Sequence, residues 1–272
     1  MAKFKELAQD KAGFGWVPDV PDFRDHKYKA PYGTAKSIPA SADLTRIKGY
    51  FDPYDQLKLG SCTGNAIAGA LQFDALVQGA PLTECPSRLF VYFGERVIEG
   101  TVGQDAGASL RDGIKVVSKY GTPPESVWPY SDDASTFKKT PSPDAFKAAL
   151  TDRAVSYRRL TRDASLTQMR AALGVEGKPF VFGFSVYESF MSDAVANTGV
   201  VPMPSPGEVL LGGHAVLAVG FDTLKQLVKC RNSWGTDHGD KGHFYLPFGY
   251  FTDRGLSSDF WVIQTTSVVK SA

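Results

Sequence analysis

Between Gln56 and Pro81 the chain reads QLKLGSCTGNAIAGALQFDALVQGAP. From Cys62 onward the apolar residues Ala66, Ile67, Ala70, Leu71, Phe73 and Leu76 fall on nearly every face of a 3.6-residue period, and the run stops at Gly79 and Pro81. A helix of that kind has no solvent face, so other elements must surround it. With 272 residues the chain is long enough to supply them, as one large domain or as two lobes sharing an interface.

The surrounding pattern changes period once. PSRLFVYFGERVIEG and SLRDGIKVVSKYG read as helices ended by Gly100 and Gly121, followed by a loop, TPPESVWPYSDD, and by the shorter helical runs SPDAFKAAL and SLTQMRAALG. After these come KPFVFGFSVY, HAVLAVGFDT, QLVKCRNSW, GHFYLP and DFWVIQTT, short β-rich runs separated by Gly, Pro and polar turns. Helices first and strands second predict an α+β fold of two lobes. Residues 10–41, rich in Pro, Asp, Lys and aromatics, follow neither period and read as an extended arm.

Charge and cysteine usage exclude several functions. Thirty Lys and Arg against 29 Asp and Glu leave a net charge of +1, which supplies no broad field for nucleic acid or an anionic membrane. No apolar run is long enough to span a bilayer, and MAKFKELAQDKAGFGW lacks the apolar core of a leader. A cytoplasmic monomer is expected, with leaderless export as the alternative. Cys62, Cys85 and Cys230 are far apart, without a CxxC pair, and His26, His214, His238 and His243 stand at no metal-ligand spacing with them. Neither a disulfide scaffold, a metal nor an organic cofactor is expected.

A lone cysteine at a helix start is more often packed than reactive. Here it has company. LGGHAVLAVGFD supplies His214, and VKCRNSWGTDHGDKGHFYLP supplies Asn232 and Trp234. A thiol, an imidazole and an amide complete a set for acyl transfer. A free thiol has a pKa of about 8.5, and a helix N-terminus and an imidazolium both favour its anion. His214 would hold the thiol proton and return it to the leaving amine, while Asn232 fixes the ring. Gln56, upstream across a loop containing Gly60, can fold back so that its amide and the N–H of Cys62 form an oxyanion hole. Cys85 and Cys230 have no base assigned and read as packing residues.

These blocks resemble a known family. DQLKLGSC is similar to the Gln-containing active-site segment of papain-like cysteine peptidases, and GGHAVLAVGF and RNSWGTDHGDKGHFYL to the family's His and Asn segments. The separation of Cys62 from His214, roughly 150 residues, is the one recognised for that family. IPASADLTR resembles the start of its mature domain and SKYGTPPESVWPYSD one of its loops, so the likeness spans residues 38–262. It implies a papain-like domain over 38–272. The helical left lobe, about 50–150, would hold the central helix, and the right lobe, about 151–265, would be antiparallel and β-barrel-like. It also implies a polypeptide substrate, paired with DAGAS through Gly107 and Ala108, where only one of the pair is Gly. A side-chain pocket would include Gly183 with Gly213 at its rim, and Trp234 would shield the hydrogen bond between His214 and Asn232. Leu59 stands where many members carry a disulfide cysteine, and Thr63 where an aromatic usually follows the nucleophile. These departures resemble bacterial and viral members.

The expected function is hydrolysis of peptide bonds through Cys62, His214, Asn232 and Gln56. The alternatives are acyl transfer to an amine on the same scaffold, or a protein-binding module with vestigial catalysis. Residues 1–37 are either a tail packed on the surface or a short pro-segment lying in the cleft.

Overall fold

The apolar run at Cys62 does form a helix buried along most of its length. A computed structural model describes residues 13–30, 37–79, 81–82, 84–150, 154–160 and 165–265. In chain order its elements are β1 (Ser41–Asp43), α1 (Cys62–Val77), α2 (Arg88–Glu99), α3 (Leu110–Tyr120), α4 (Ala134–Phe137), α5 (Pro143–Ala149), β2 (Ala154–Arg159), α6 (Ser165–Gly174), β3 (Phe180–Tyr187), α7 (Asp193–Thr198), β4 (Leu210–Asp222), β5 (Leu227–Arg231), β6 (His243–Pro247), α8 (Phe248–Thr252) and β7 (Ser257–Thr265). Local chemistry sets the helix ends. Ser87 and Ser109 accept the N–H of Phe90 and Asp112 at the starts of α2 and α3, and Gly100 closes α2 in the left-handed conformation.

Helices α2 and α3 pack on α1 from one side, and β4 and β7 from the other. The strands form one antiparallel sheet in the order β2-β7-β3-β4-β5-β6, with β1 paired to the far end of β4. The sheet is open and not barrel-like. Its two outermost strands are occupied by other chain segments: Lys27 of the arm bridges Arg159 of β2, and Val200 bridges Tyr245 of β6. Among the described residues no ladder joins β2 to β6.

Both faces of the sheet are buried, which explains strands that read as nearly continuous apolar runs. On β4, Ala215, Leu217 and Val219 face α1, whereas Val216 and Ala218 face a second core. That core is aromatic, with Phe180, Phe182, Phe184, Phe190, Phe244, Phe251 and Phe260. The helix α1 and the strand carrying His214 therefore meet across one apolar seam.

The segment 13–30 crosses this seam. Trp16 is buried in the same cluster as Cys62, Ala215 and Trp261. Farther along, the N–H of Asp19 donates to Oδ2 of Asp259 at 2.8 Å, and its carboxylate accepts the N–H of Arg111 at 3.0 Å and the indole N–H of Trp261 at 3.0 Å. Asp25 pairs with Arg111 and Arg159, and Arg159 with Asp259. The arm is thus fastened to α3, β2 and β7.

Candidate active site

Cys62 is the first residue of α1 and has no solvent exposure. Ser61, which precedes it, does not cap the helix with its side chain; its hydroxyl lies 2.6 Å from the Tyr130 hydroxyl instead. The backbone N–H groups of Ala215, Gly15 and Thr63 face the Cys62 sulfur. Ala215 adjoins His214, so folding brings the nucleophile candidate and the imidazole strand together.

His214 is equally buried. Its Nε2 lies 2.8 Å from Oδ1 of Asn232, and that oxygen also accepts the N–H of Ser233 at 2.9 Å, which turns the amide so that its oxygen faces the ring. Asn232 Nδ2 and the other imidazole nitrogen, Nδ1, have no hydrogen-bond partner among the described residues. Trp234 lies over the ring at 5.3 Å between centroids, tilted by 32°. Phe14 meets it edge-on at 6.1 Å. An aromatic shield therefore exists although position 63 is Thr, and part of it comes from the arm.

Gln56 reaches the site by a turn at Leu57, whose φ of 53° lies in the left-handed region and whose N–H is held by Asp55 at 2.9 Å. The reversal is made at Leu57 and not at Gly60, where the sequence puts it. Gly60 serves close approach: the chain of Gly15 passes directly over it. The Gln56 amide oxygen accepts from the Ser233 hydroxyl at 2.5 Å, and Nε2 donates to the carbonyls of Leu59 at 2.8 Å and Gly13 at 2.9 Å. A carbonyl of the arm thus sits on the amide expected to hold an oxyanion.

The arm also occupies every residue expected to bind substrate. The N–H of Val17 donates to the Ala108 carbonyl at 2.9 Å and the N–H of Ala108 to the Gly15 carbonyl at 2.7 Å, a parallel pairing. Gly107 has a φ of 71°, and a Cβ there would collide with the Gly15 backbone. Trp16 donates to the Gly213 carbonyl at 2.9 Å, and its indole covers Gly183 so closely that an added Cβ would lie 1.9 Å from a ring atom.

Electrostatics depart from the expected thiolate and imidazolium. Burial pushes the Cys62 thiol up to about 12, outweighing the N–H groups that favour its anion. Burial also pushes His214 down to about 4, against the opposing effect of Asn232. With the arm in place, water is excluded and the neutral pair is preferred. Thr63 has its own partner: its hydroxyl donates at 2.7 Å to Glu95, a fully buried carboxyl that desolvation holds well above the usual range.

Sequence reasoning missed Phe14 and offered Trp16 only as a packing residue of the tail, yet the signal for both was present in GFGW. Gly13 and Gly15 alternate with aromatics because a Cβ at either would strike the backbone of Leu59 or Gly60. Cys85 and Cys230 are free, with burial raising both thiols. Among the described residues no group of His, Cys, Asp or Glu could hold a metal ion, and no helix is long and apolar enough to cross a membrane.

Comparison with known proteins shows the family and the fold. A family model described as papain family cysteine protease matches residues 39–260. An uncharacterized peptidase C1-like protein of Acanthamoeba polyphaga mimivirus is 40% identical over 271 residues, covering 92% of this chain and 86% of its own length. Among solved structures, xylellain, a cysteine protease from Xylella fastidiosa, superposes with a TM-score of 0.87 at 40% identity, covering 95% of this chain and 98% of its own. Procathepsin B from Trypanosoma congolense shares the fold with a TM-score of 0.73 at 16% identity, covering 96% of this chain and 89% of its own.

Proposed function

The chain belongs to the papain family of cysteine proteases, and from that premise we propose that it cleaves extended polypeptides with Cys62 as nucleophile, His214 as base and acid, Asn232 as the orienting group and Gln56 in the oxyanion hole. One observation carries the reading: the arm already lies in the cleft as an extended polypeptide, with a carbonyl on Gln56 Nε2 and a backbone pairing on Ala108.

Once the arm leaves, water reaches Cys62 and His214 and the burial that disfavours their charged forms is relieved. His214 takes the thiol proton, and the sulfur attacks the substrate carbonyl carbon. The oxyanion takes the position now held by the Gly13 carbonyl, near Gln56 Nε2. His214 then gives its proton to the departing amine, leaving an acyl-thioester. Water, deprotonated by His214, attacks the thioester and releases the acid and the thiol. The bond to Asn232 keeps the imidazole plane fixed through both transfers.

The arm is the resting-state inhibitor in this reading. The group it turns toward the Cys62 sulfur is the Gly15 N–H, and its parallel course along Ala108 sets Trp16 over Gly183. Peptide turnover by the full chain, compared with Cys62→Ala, tests the assignment. Product analysis with an added amine separates hydrolysis from acyl transfer. Turnover that survives Cys62→Ala would falsify the assignment.

A further inference from the structure

The carboxylate of Asp105 joins the two parts of the cleft, the loop before the nucleophile and the segment that pairs with polypeptide. Both of its oxygens accept the N–H of Gly60, Oδ1 at 3.0 Å and Oδ2 at 2.9 Å. Oδ1 also accepts the hydroxyl of Tyr92 at 2.5 Å, and that hydroxyl in turn accepts the N–H of Gly107 at 3.1 Å. Tyr92 is fully buried in α2, so its hydroxyl is a fixed point between the two loops.

The Gly60 N–H belongs to the same peptide group as the Leu59 carbonyl. That carbonyl accepts Gln56 Nε2 at 2.8 Å and the Ser61 N–H at 2.8 Å. Pinning the N–H therefore fixes the direction of the carbonyl, and the carbonyl directs Nε2 of Gln56. On the other side, Tyr92 holds Gly107 in its left-handed conformation, which presents the neighbouring Ala108 N–H and carbonyl to a peptide. One charged acceptor thus reaches the oxyanion hole through a single peptide plane and the peptide-pairing edge through a single hydroxyl.

We infer that Asp105 is a positioning residue for peptide hydrolysis, its carboxylate orienting the 59–60 peptide so that Gln56 Nε2 points into the oxyanion hole, and through Tyr92 setting Gly107 for substrate. This rests on the catalytic reading of Cys62 and Gln56 given above. Asp105 touches neither substrate nor the reacting atoms. It is exposed on the surface, so its replacement leaves the core intact.

The test measures kcat and KM for a peptide substrate in the full chain, with kcat expressed per alkylatable Cys62 so that only folded enzyme counts. Asp105→Ala frees the 59–60 peptide and the Tyr92 hydroxyl together; kcat falls by about tenfold or more, and KM rises severalfold, because charge-assisted bonds that fix a reacting geometry are lost. Asp105→Asn keeps one carbonyl acceptor and gives intermediate values. Tyr92→Phe frees Gly107 and removes one bond to Asp105 but leaves both carboxylate oxygens on the Gly60 N–H, so KM rises while kcat stays within about twofold of the parent. If Asp105→Ala leaves both constants within about twofold while Cys62→Ala is inactive, the inference fails and the catalytic reading stands. If Tyr92→Phe lowers kcat as far as Asp105→Ala does, the division between the two branches is wrong. Turnover that persists in Cys62→Ala overturns both readings.

Discussion

The backbone carbonyl of Gly13 accepts a hydrogen bond from Nε2 of Gln56 at 2.9 Å, so a group of the arm occupies the place proposed above for the substrate oxyanion. Neighbouring contacts explain why it stays there: Trp16 buries an indole against Gly183 and Gly213, and Gly15 pairs with Ala108.

Removing the Trp16 indole weakens that hold. Burial of a Trp side chain is worth about 3 kcal/mol, which corresponds to roughly a 100-fold change in the balance between covered and uncovered cleft. Trp16→Ala is therefore expected to raise the rate of Cys62 alkylation by iodoacetamide and the peptide turnover in parallel. Equal labelling rates in the two proteins would show that the indole does not hold the cleft shut.

In the proposed mechanism Gln56 contributes through its one amide nitrogen. With the cleft opened by Trp16→Ala, Gln56→Ala should lower kcat by about 10²- to 10³-fold, the usual consequence of losing one oxyanion-hole donor, with a much smaller effect on KM. Steady-state kinetics on one peptide decides it, and an unchanged kcat would remove Gln56 from the mechanism.

Acid is expected to loosen the arm through His214 and to tighten it through Asp259. Burial holds His214 near 4 against an ordinary 6.5, so the covered state is disfavoured as pH falls from 6.5 toward 4. Asp259, raised to about 6 from 3.8 by desolvation and by Asp19, has the opposite sign: its contribution to the covered state is present below 3.8 and is lost as pH rises through 6. Arg159 faces Asp259, while Arg111 and Trp261 face Asp19. Asn at position 259 removes the opposing contribution and tolerates its φ of 59°. Hydrogen exchange at the Val17 amide, corrected for intrinsic rate, should therefore increase more between pH 7 and pH 4.5 in Asp259→Asn than in the parent. A smaller increase in the variant would reverse the assigned signs.

Burial raises the Glu95 carboxyl well above its ordinary value, with Gly113 leaving room for one carboxyl oxygen and Thr63 donating to the other. Its raised pKa means that its contribution to stability is present below the ordinary 4.5 and is lost as pH rises toward the elevated value. Glu95→Gln is expected to melt higher than the parent at pH 8 and to show a flatter Tm against pH. Thr63→Val, which strands the carboxyl without its donor, should cost about 1–3 kcal/mol. Parallel pH curves for Glu95→Gln and the parent would mean that this carboxyl titrates normally.

The fold and the family were largely legible in the sequence, and the groups proposed as catalytic sit at positions with strong local signals. Cys62 follows a Gly-Ser turn at the start of a helix with apolar residues on nearly every face, and His214 directly precedes the apolar run of its strand. The helix ends at Gly100 and Gly121 were equally plain. β1 and β2 went unread: the first spans Ser41–Asp43, too short for any period, and the second, Ala154–Arg159, ends in two arginines that disguise a strand paired with β7. The state of the thiol was misread for a different reason. Helix position and a nearby imidazole favour an anion, but whether water reaches the sulfur depends on Gly13–Trp16, residues nearly fifty positions upstream whose course no periodicity announces. Asp105 was hidden likewise, since its effect lies in one peptide plane rather than in any motif.

The alternation along β4 carries a final consequence. His214 and Ala215 point to opposite sides of a sheet that is filled on both sides, so shifting the strand's register by one residue ahead of His214 would swing the imidazole away from Asn232 to the other side of the sheet. Insertions and deletions are therefore tolerable only in the turns beyond the ends of that strand.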